Sequence, residues 1–319
     1  MVAPGSVTKR SPALPAAVQQ YLASWGDLGA RAGHVLKTIG VTEAGTSAAS
    51  RLTATGAPFE FCFAEGASGL RYTVEYGPPG EQPERRLSDI LGFLTRQGVQ
   101  PPRGDVLDRI AALQRLGGLT YGAWLGVRHH DACDRFKVYA EVPAEAAPAA
   151  EAWTTEVLGK PPRLPGPTPR VNMIGLDADS NRFEIYLASR DLLRTGVSMA
   201  LLPAGLSEMA GGILSAIDGM TPFAPRARLP ARDIGFSYAV SAGRTEVTFT
   251  LYLVARKLFG DDRGCADWIG DRLPEHARLM RILPLASPGI VHHGMIGLTV
   301  GPGLARPLLT VGVAAPWMN

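Results

Sequence analysis

Cysteine is scarce in this chain and its charge is close to balance. The three cysteines, Cys62, Cys133 and Cys265, are scattered over 319 residues. That is too few and too dispersed for the disulfide framework of a small secreted domain, so a reducing, cytoplasmic setting is expected. No apolar run follows Lys9 and Arg10, so the N-terminus lacks the pattern of a secretory signal, and residues 1–14 are expected to be flexible. Nowhere do roughly 18 apolar residues run uninterrupted, as a membrane-spanning helix requires. The net charge of +3 is too small to mark a nucleic-acid surface, although it leaves room for a local basic pocket. A glycine-rich phosphate loop, a Ser–His–Asp order and a cysteine–histidine pair are also missing. With 46% hydrophobic residues, a core of this size needs neither disulfide nor metal.

What the chain does have is a repeated order of elements. Pairs of strand-like runs are joined by short turns rich in Gly, Asp, Asn or Ser, as hairpins require. They fall at 57–64 with 70–76, 122–128 with 135–142, 170–176 with 182–187, 233–240 with 246–255, and 292–300 with 307–314. Between them apolar residues recur at helical spacing: Leu87, Ile90, Leu91 and Leu94; Val106, Ile110, Leu113 and Leu116; Leu206, Met209, Ile213 and Ile217. Residues 18–25 and 28–39 supply a further helix pair ahead of the first hairpin. Proline-rich stretches at 161–169 and 222–230 end helices and deliver the chain to a strand.

Helical sequence followed by two strands thus recurs five times, at a spacing of roughly fifty to sixty-five residues. A doubly wound sheet alternates single strands with helices, which this chain does not do. The expectation is an α+β protein: a ten-stranded antiparallel β-barrel of five ααββ repeats, ringed by helices and closed so that no sheet edge is exposed. No linker-like break divides the chain, so residues 1–319 are expected to form one domain.

Alternate residues of a strand share a face. Arg135, Lys137 and Tyr139 lie opposite Phe136, Val138 and Ala140; Arg182, Glu184 and Tyr186 opposite Phe183, Ile185 and Leu187; Thr248, Thr250 and Tyr252 opposite Val247, Phe249, Leu251 and Leu253. If the apolar faces pack under helices, the polar faces line a lumen where cations and tyrosines converge. Such a lumen suits an anionic leaving group attached to a group that becomes a cation. Lys and Arg clamp diphosphate oxygens, and tyrosine faces stabilise a carbocation while excluding water.

Several local patterns imitate other sites. His129, His130, Asp131 and Cys133 sit in a hairpin turn with no second cluster at ligand spacing, and are read as a surface turn. Asp177, Asp179 and Asn181 lack the Gly and closing Glu of a calcium loop. Asp261, Asp262 and Asp267 have the wrong spacing for an aspartate-rich magnesium motif and read as a solvated helix start. His292 and His293 open the last hairpin; a structural role is expected, with a proton acceptor at the barrel mouth as the alternative.

Particular runs also carry a resemblance. Pro58-Phe59-Glu60, then Leu70-Arg71-Tyr72-Thr73-Val74-Glu75-Tyr76-Gly77-Pro78, resembles the first hairpin of dimethylallyltryptophan-synthase-type aromatic prenyltransferases, which share the antiparallel α/β prenyltransferase barrel. Phe136-Lys137-Val138-Tyr139 is similar to that family's Lys-x-Tyr strand, and Arg182-Phe183-Glu184-Ile185-Tyr186 to its Arg-x-Lys-x-Tyr strand. Leu251-Tyr252-Leu253-Val254-Ala255-Arg256 with Phe259-Gly260-Asp261-Asp262 is similar to its later tyrosine strand and the turn after it. The resemblance spans about residues 55–262.

The resemblance implies that Glu60 accepts the acceptor's indole N–H and acts as general base. It implies that Arg71, Lys137 and Arg182 bind diphosphate and that Tyr139, Tyr186 and Tyr252 shield the cation. Trp124, Met173, Glu184, Tyr238, Thr250 and His293 are the further candidates for an acceptor pocket. The implied activity is transfer of a dimethylallyl or longer prenyl group to an indole-like acceptor in secondary metabolism, by a monomer or homodimer without cofactor or metal. The implied partners are a prenyl diphosphate and an aromatic small molecule or peptide, with no nucleic acid or membrane. Three departures stand out: Glu184 replaces a lysine, Thr250 stands where Gln or Lys is usual, and Gly312 stands where a shielding tyrosine is expected. They suggest an enlarged or rearranged cavity for a bulky acceptor or longer donor. A peptide-modifying prenyltransferase with an open barrel and a non-catalytic carrier of an aromatic or isoprenoid ligand are the alternatives.

Overall fold

The computed structural model describes residues 14–41, 50–78, 82–100, 102, 104–241, 246–283 and 292–315. Residues 1–13, expected to be flexible, lie outside that set, as do positions 242–245 of the fourth hairpin turn. The chain opens with α1 (Ala16–Ala23) and α2 (Asp27–Thr38), followed by the hairpin β1 (Phe59–Ala64) and β2 (Leu70–Glu75). Next come α3 (Pro83–Arg96), α4 (Gly104–Gln114), β3 (Ala123–His129) and β4 (Asp134–Glu141). The third unit is α5 (Ala147–Leu158), β5 (Arg170–Asp177) and β6 (Arg182–Arg190), and the fourth is α6 (Arg194–Leu201), α7 (Ala210–Met220), β7 (Asp233–Ser241) and β8 (Val247–Val254). The last comprises α8 (Ala255–Phe259), α9 (Asp262–Gly270), α10 (Pro274–Met280), β9 (His293–Val300) and β10 (Leu308–Ala314).

All ten strands join one closed antiparallel barrel in which β1 pairs with both β2 and β10. The helical half of the repeat is less regular than expected. The third unit carries one α-helix after a short 3-10 turn, and the fifth carries three short helices. The prolines at 161, 162, 165, 167 and 169 consume the space a second helix in the third unit would need.

The apolar strand faces point outward, under the helices. Phe61, Leu125, Val138, Ile185, Phe249, Leu251 and Ile296 are buried there against Leu36, Ile90, Ile110, Ile213, Ile217, Leu258 and Ile269. Each such side chain contributes about 1.5–3 kcal/mol by leaving water. The core is therefore the layer between barrel and helices, which frees the lumen from packing duty.

Two polar networks in that outer layer correct the sequence reading. His129 is not in a surface turn: it is the fully buried last residue of β3. With its Nδ1–H donating to Asp134 (2.8 Å), Nε2 accepts from the Tyr72 hydroxyl at 3.0 Å. Arg31 of α2 reaches the same Asp134 and tethers the helix to the hairpin. Asp262 is likewise not merely solvated, because its carboxylate accepts the backbone N–H groups of His292 and His293. Among the described residues no helix is long and apolar enough to cross a membrane.

Candidate active site in the barrel lumen

The inner faces of the strands enclose a cavity of about 1090 Å³. Strand register fixes what lines it. Glu60 pairs across to Thr73, Thr73 to Gly126 and Gly126 to Lys137, so these four share the inner face. One turn up toward the hairpin end, Arg71, Arg128 and Arg135 form the neighbouring row. Arg182 opens β6 at that same end. Glu60, near the start of β1, lies in the Lys137 row, and Trp124 and Tyr139 pair two residues further toward the opposite end. That opposite end is closed on one side by Trp124 stacked on Tyr121 (3.9 Å, 14°). Beneath them Arg86 pairs with Glu75, and Glu141 accepts the backbone N–H groups of Thr120, Tyr121 and Gly122.

The Glu60 carboxylate has no hydrogen-bond partner among the described residues and faces the cavity. Burial alone pushes its pKa up to about 7, since a carboxylate without compensating donors favours its neutral form. A Cβ at Gly312 would stand 2.7 Å from Glu60 Oε2, so the missing side chain at that position is what makes room for this carboxyl. The same wall carries a bulge, where Gly294 and Met295 oppose Gly312.

The tyrosines form a continuous belt. Tyr139 meets Tyr186 edge-on with ring centroids 5.9 Å apart, and Tyr186 meets Tyr252 at 5.9 Å. Burial raises the pKa of all three, so they stay neutral rings with hydroxyl donors. Inside the belt sits an ammonium. Lys137 Nζ lies 5.1 Å from the Tyr139 ring centroid and 5.5 Å from that of Tyr186. It donates to the Glu184 carboxylate and to the Tyr186 hydroxyl (3.2 Å). Glu184 also accepts from Ser237 and from the Tyr252 hydroxyl (3.4 Å). Burial opposes its charge, but the Lys137 ammonium and these hydrogen bonds win and hold its pKa at about 2. Burial likewise works against the Lys137 charge, and Glu184 outweighs it. Gly175 allows this packing, because a Cβ there would stand 2.6 Å from Lys137 Cε and 3.1 Å from Tyr186 Cε2.

The barrel thus brings together Glu60, Arg71, Lys137, Arg182, Tyr139, Tyr186, Tyr252, Trp124, Met173, Glu184 and Thr250, all of which line the cavity. Thr250 shares a 3.0 Å hydrogen bond with Thr299. Of the remaining candidates, Tyr238 does not line the cavity and His293 lines it with its imidazole engaged elsewhere. Tyr238 is fully buried on the outer face, donates to the Ala200 carbonyl and packs on Phe236 and Phe249. It pairs with Ile185 and Phe249 across the sheet, and that parity turns it away from the lumen. His293 touches the cavity wall, but its imidazole is buried against α9 and α10. Its Nδ1–H donates to Asp262 (2.8 Å), and its Nε2 accepts from His276 Nε2–H (2.8 Å). Both ring nitrogens of His293 are thus engaged within the wall, although the residue lines the cavity. Sequence reasoning also passed over Arg128, which shares the alternating face of Trp124 and Gly126 in a run already read as a strand. The same alternation contained the signal for it.

No protein-family model matches the sequence, and no curated protein does. Comparison with solved structures is another matter. 6-Dimethylallyl tryptophan synthase superposes with a TM-score of 0.70 at 18% identity, covering 95% of this chain and 96% of that one. 5-Dimethylallyl tryptophan synthase from Streptomyces coelicolor, in complex with DMASPP and Trp, gives 0.70 at 16% identity over 95% and 96%. NotF, in complex with brevianamide F and DMSPP, gives 0.65 at 15% over 95% and 93%. The chain has the prenyltransferase-barrel fold. Its lumen carries the Lys137–Glu184 pair and a glycine facing Glu60.

Proposed function

We propose that this barrel is an aromatic prenyltransferase, moving a dimethylallyl or longer prenyl group from its diphosphate to an indole-like acceptor. One observation carries the reading: a single lumen holds an unpartnered, protonatable carboxyl, a tyrosine belt and a set of cations. The cavity exceeds the roughly 300–1,000 Å³ of a single-ligand pocket, as two substrates side by side require. Two proteins of the same fold hold DMASPP with Trp, and DMSPP with brevianamide F.

In the proposed reaction the allylic C–O bond of the prenyl diphosphate breaks, and its electron pair leaves with the diphosphate toward the cationic end. The allyl cation stays among the faces of Tyr139, Tyr186 and Tyr252. The π electrons of the acceptor form the new C–C bond, and the acceptor's proton passes to Glu60. Positioning and electrostatics supply most of the barrier lowering.

The test is incubation with dimethylallyl and geranyl diphosphates against indole, tryptophan and short tryptophan-containing peptides, with product followed by mass spectrometry. Wild type is expected to release diphosphate and form product. Glu60→Gln should lower turnover about 10²–10⁴-fold, as loss of a general base does. Tight binding of a donor or acceptor with neither diphosphate release nor product would instead support a carrier. Because basic side chains occupy the cationic end, chelation of divalent ions is expected to leave turnover intact, and its loss would overturn that part.

A further inference from the structure

The resemblance puts the diphosphate on Lys137, yet Lys137 is already engaged. Its ammonium is enclosed by two tyrosine rings and bound to Glu184, itself tied to Ser237 and Tyr252. Turning Lys137 toward a diphosphate would strand a buried carboxylate beside the incoming anion, and a carboxylate left without its partner is strongly unfavourable. A second cation set lies on the adjoining wall without this conflict. Arg71, Arg128 and Arg135 are direct cross-strand partners on β2, β3 and β4, on the inner face and lining the cavity. Neighbouring strands are about 4.7–4.9 Å apart, so three guanidinium stems rise side by side, within reach of two linked phosphates.

These arginines lack the counter-charge such a row needs. Among the described residues neither Arg71 nor Arg128 makes an ion pair, and Arg135 has only Asp179, at 3.6 Å and solvent-exposed. Asp177 is the other carboxylate lining this part of the cavity. Burial, and then the adjacent Arg71, draw the Arg128 pKa down to about 10. His130, beside the same row, is lowered by burial and by Arg128, Arg135 and Arg71 together. A bound polyanion would relieve this like-charge crowding.

We propose that the diphosphate is clamped by the arginine row Arg71–Arg128–Arg135, while Lys137 stays with Glu184 inside the tyrosine belt. The row replaces the cation that Glu184 removes from β6. Arginine forks suit the task because each offers two parallel donors to phosphate oxygens. Arg182 stands apart from the row, with β5 lying between β4 and β6. The inference rests on the prenyl-transfer reading for the identity of the ligand and deepens it by naming the residues that hold the leaving group.

Inorganic diphosphate is the probe, titrated calorimetrically into the full chain. Arg128→Gln is expected to weaken binding by at least about tenfold, the loss of one or two charge-assisted hydrogen bonds. Arg128→Lys, which keeps the charge but not the fork, should fall between. The double variant Lys137→Met/Glu184→Gln removes the pair together and should bind within about threefold of wild type. Circular dichroism and melting temperature establish that each variant is folded. If the double variant loses tenfold while Arg128→Gln binds normally, the clamp is at Lys137 and the inference fails. Diphosphate bound through the row with no prenylated product from any acceptor would instead defeat the function reading and leave the row standing. Product formed by Arg128→Gln at wild-type KM for the prenyl diphosphate would defeat the row and leave the function.

Discussion

At the scale of single residues, Glu60 carries the most consequence. Its ordinary pKa of 4.5 is raised to about 7 by burial. The unfolded chain therefore gives up this proton near pH 4.5, while the folded protein keeps it until about 7. Relative to Glu60→Gln, the native state is as stable below pH 4.5 and loses ground as pH rises through 7. The variant should be more stable at pH 9 by about 2 kcal/mol, less than full burial would give because the lumen admits water. Chemical denaturation at pH 5 and 9 checks this, and an equal difference at both would refute it. Turnover of the wild type should rise over the same interval, since the base must be ionised. Glu184 shows the limit of reading residues one by one. Its carboxylate was visible as a departure from a lysine, but its partner lies 47 positions away, and only the closed sheet brings it to Lys137.

At the scale of elements, strand alternation was the legible part. It separated outward Phe249, Leu251 and Leu253 from inward Thr250 and Tyr252 because period two follows from backbone geometry. Tyr238 obeys the same logic, since it shares the face of Ile234, Phe236 and Val240. Its residue type made it a lumen candidate, but its hydroxyl donates to the Ala200 carbonyl in the helix layer. The bulge at Gly294–Met295 was not legible, as an extra residue leaves no mark on a hydrophobic pattern. Close approach between strands and side chains is testable at Gly175. Gly175→Ala places a Cβ against Lys137 Cε and the Tyr186 ring, both of which can shift. Stability should fall by only about 1–3 kcal/mol, the usual range for overpacking, while kcat falls because the belt is displaced. Melting temperature and steady-state kinetics separate the two, and a large stability loss with unchanged kcat would be the opposite outcome.

At the scale of the whole molecule, closure is the decisive feature. β1 and β10 are joined from Glu60↔Ala314 to Ala64↔Thr310, so the first and last strands share one ladder. We expect the chain to unfold as one unit, with far-ultraviolet circular dichroism and tryptophan fluorescence tracing the same transition. Phe61→Ala should shift that single transition by about 3–5 kcal/mol, since its ring is fully buried and lies 4.7 Å from that of Tyr21. Two separated transitions would show that the chain holds more than one folding unit.

The sequence by itself determined the hairpins, their number, the outward apolar face and the residue types that an inner face must carry, because each follows from local periodicity and turn chemistry. Tertiary structure decided the rest. Which cation meets which carboxylate, which tyrosines touch and which imidazoles turn away from the lumen all depend on register and closure. Those are set by the packing of distant strands, and no local pattern encodes them.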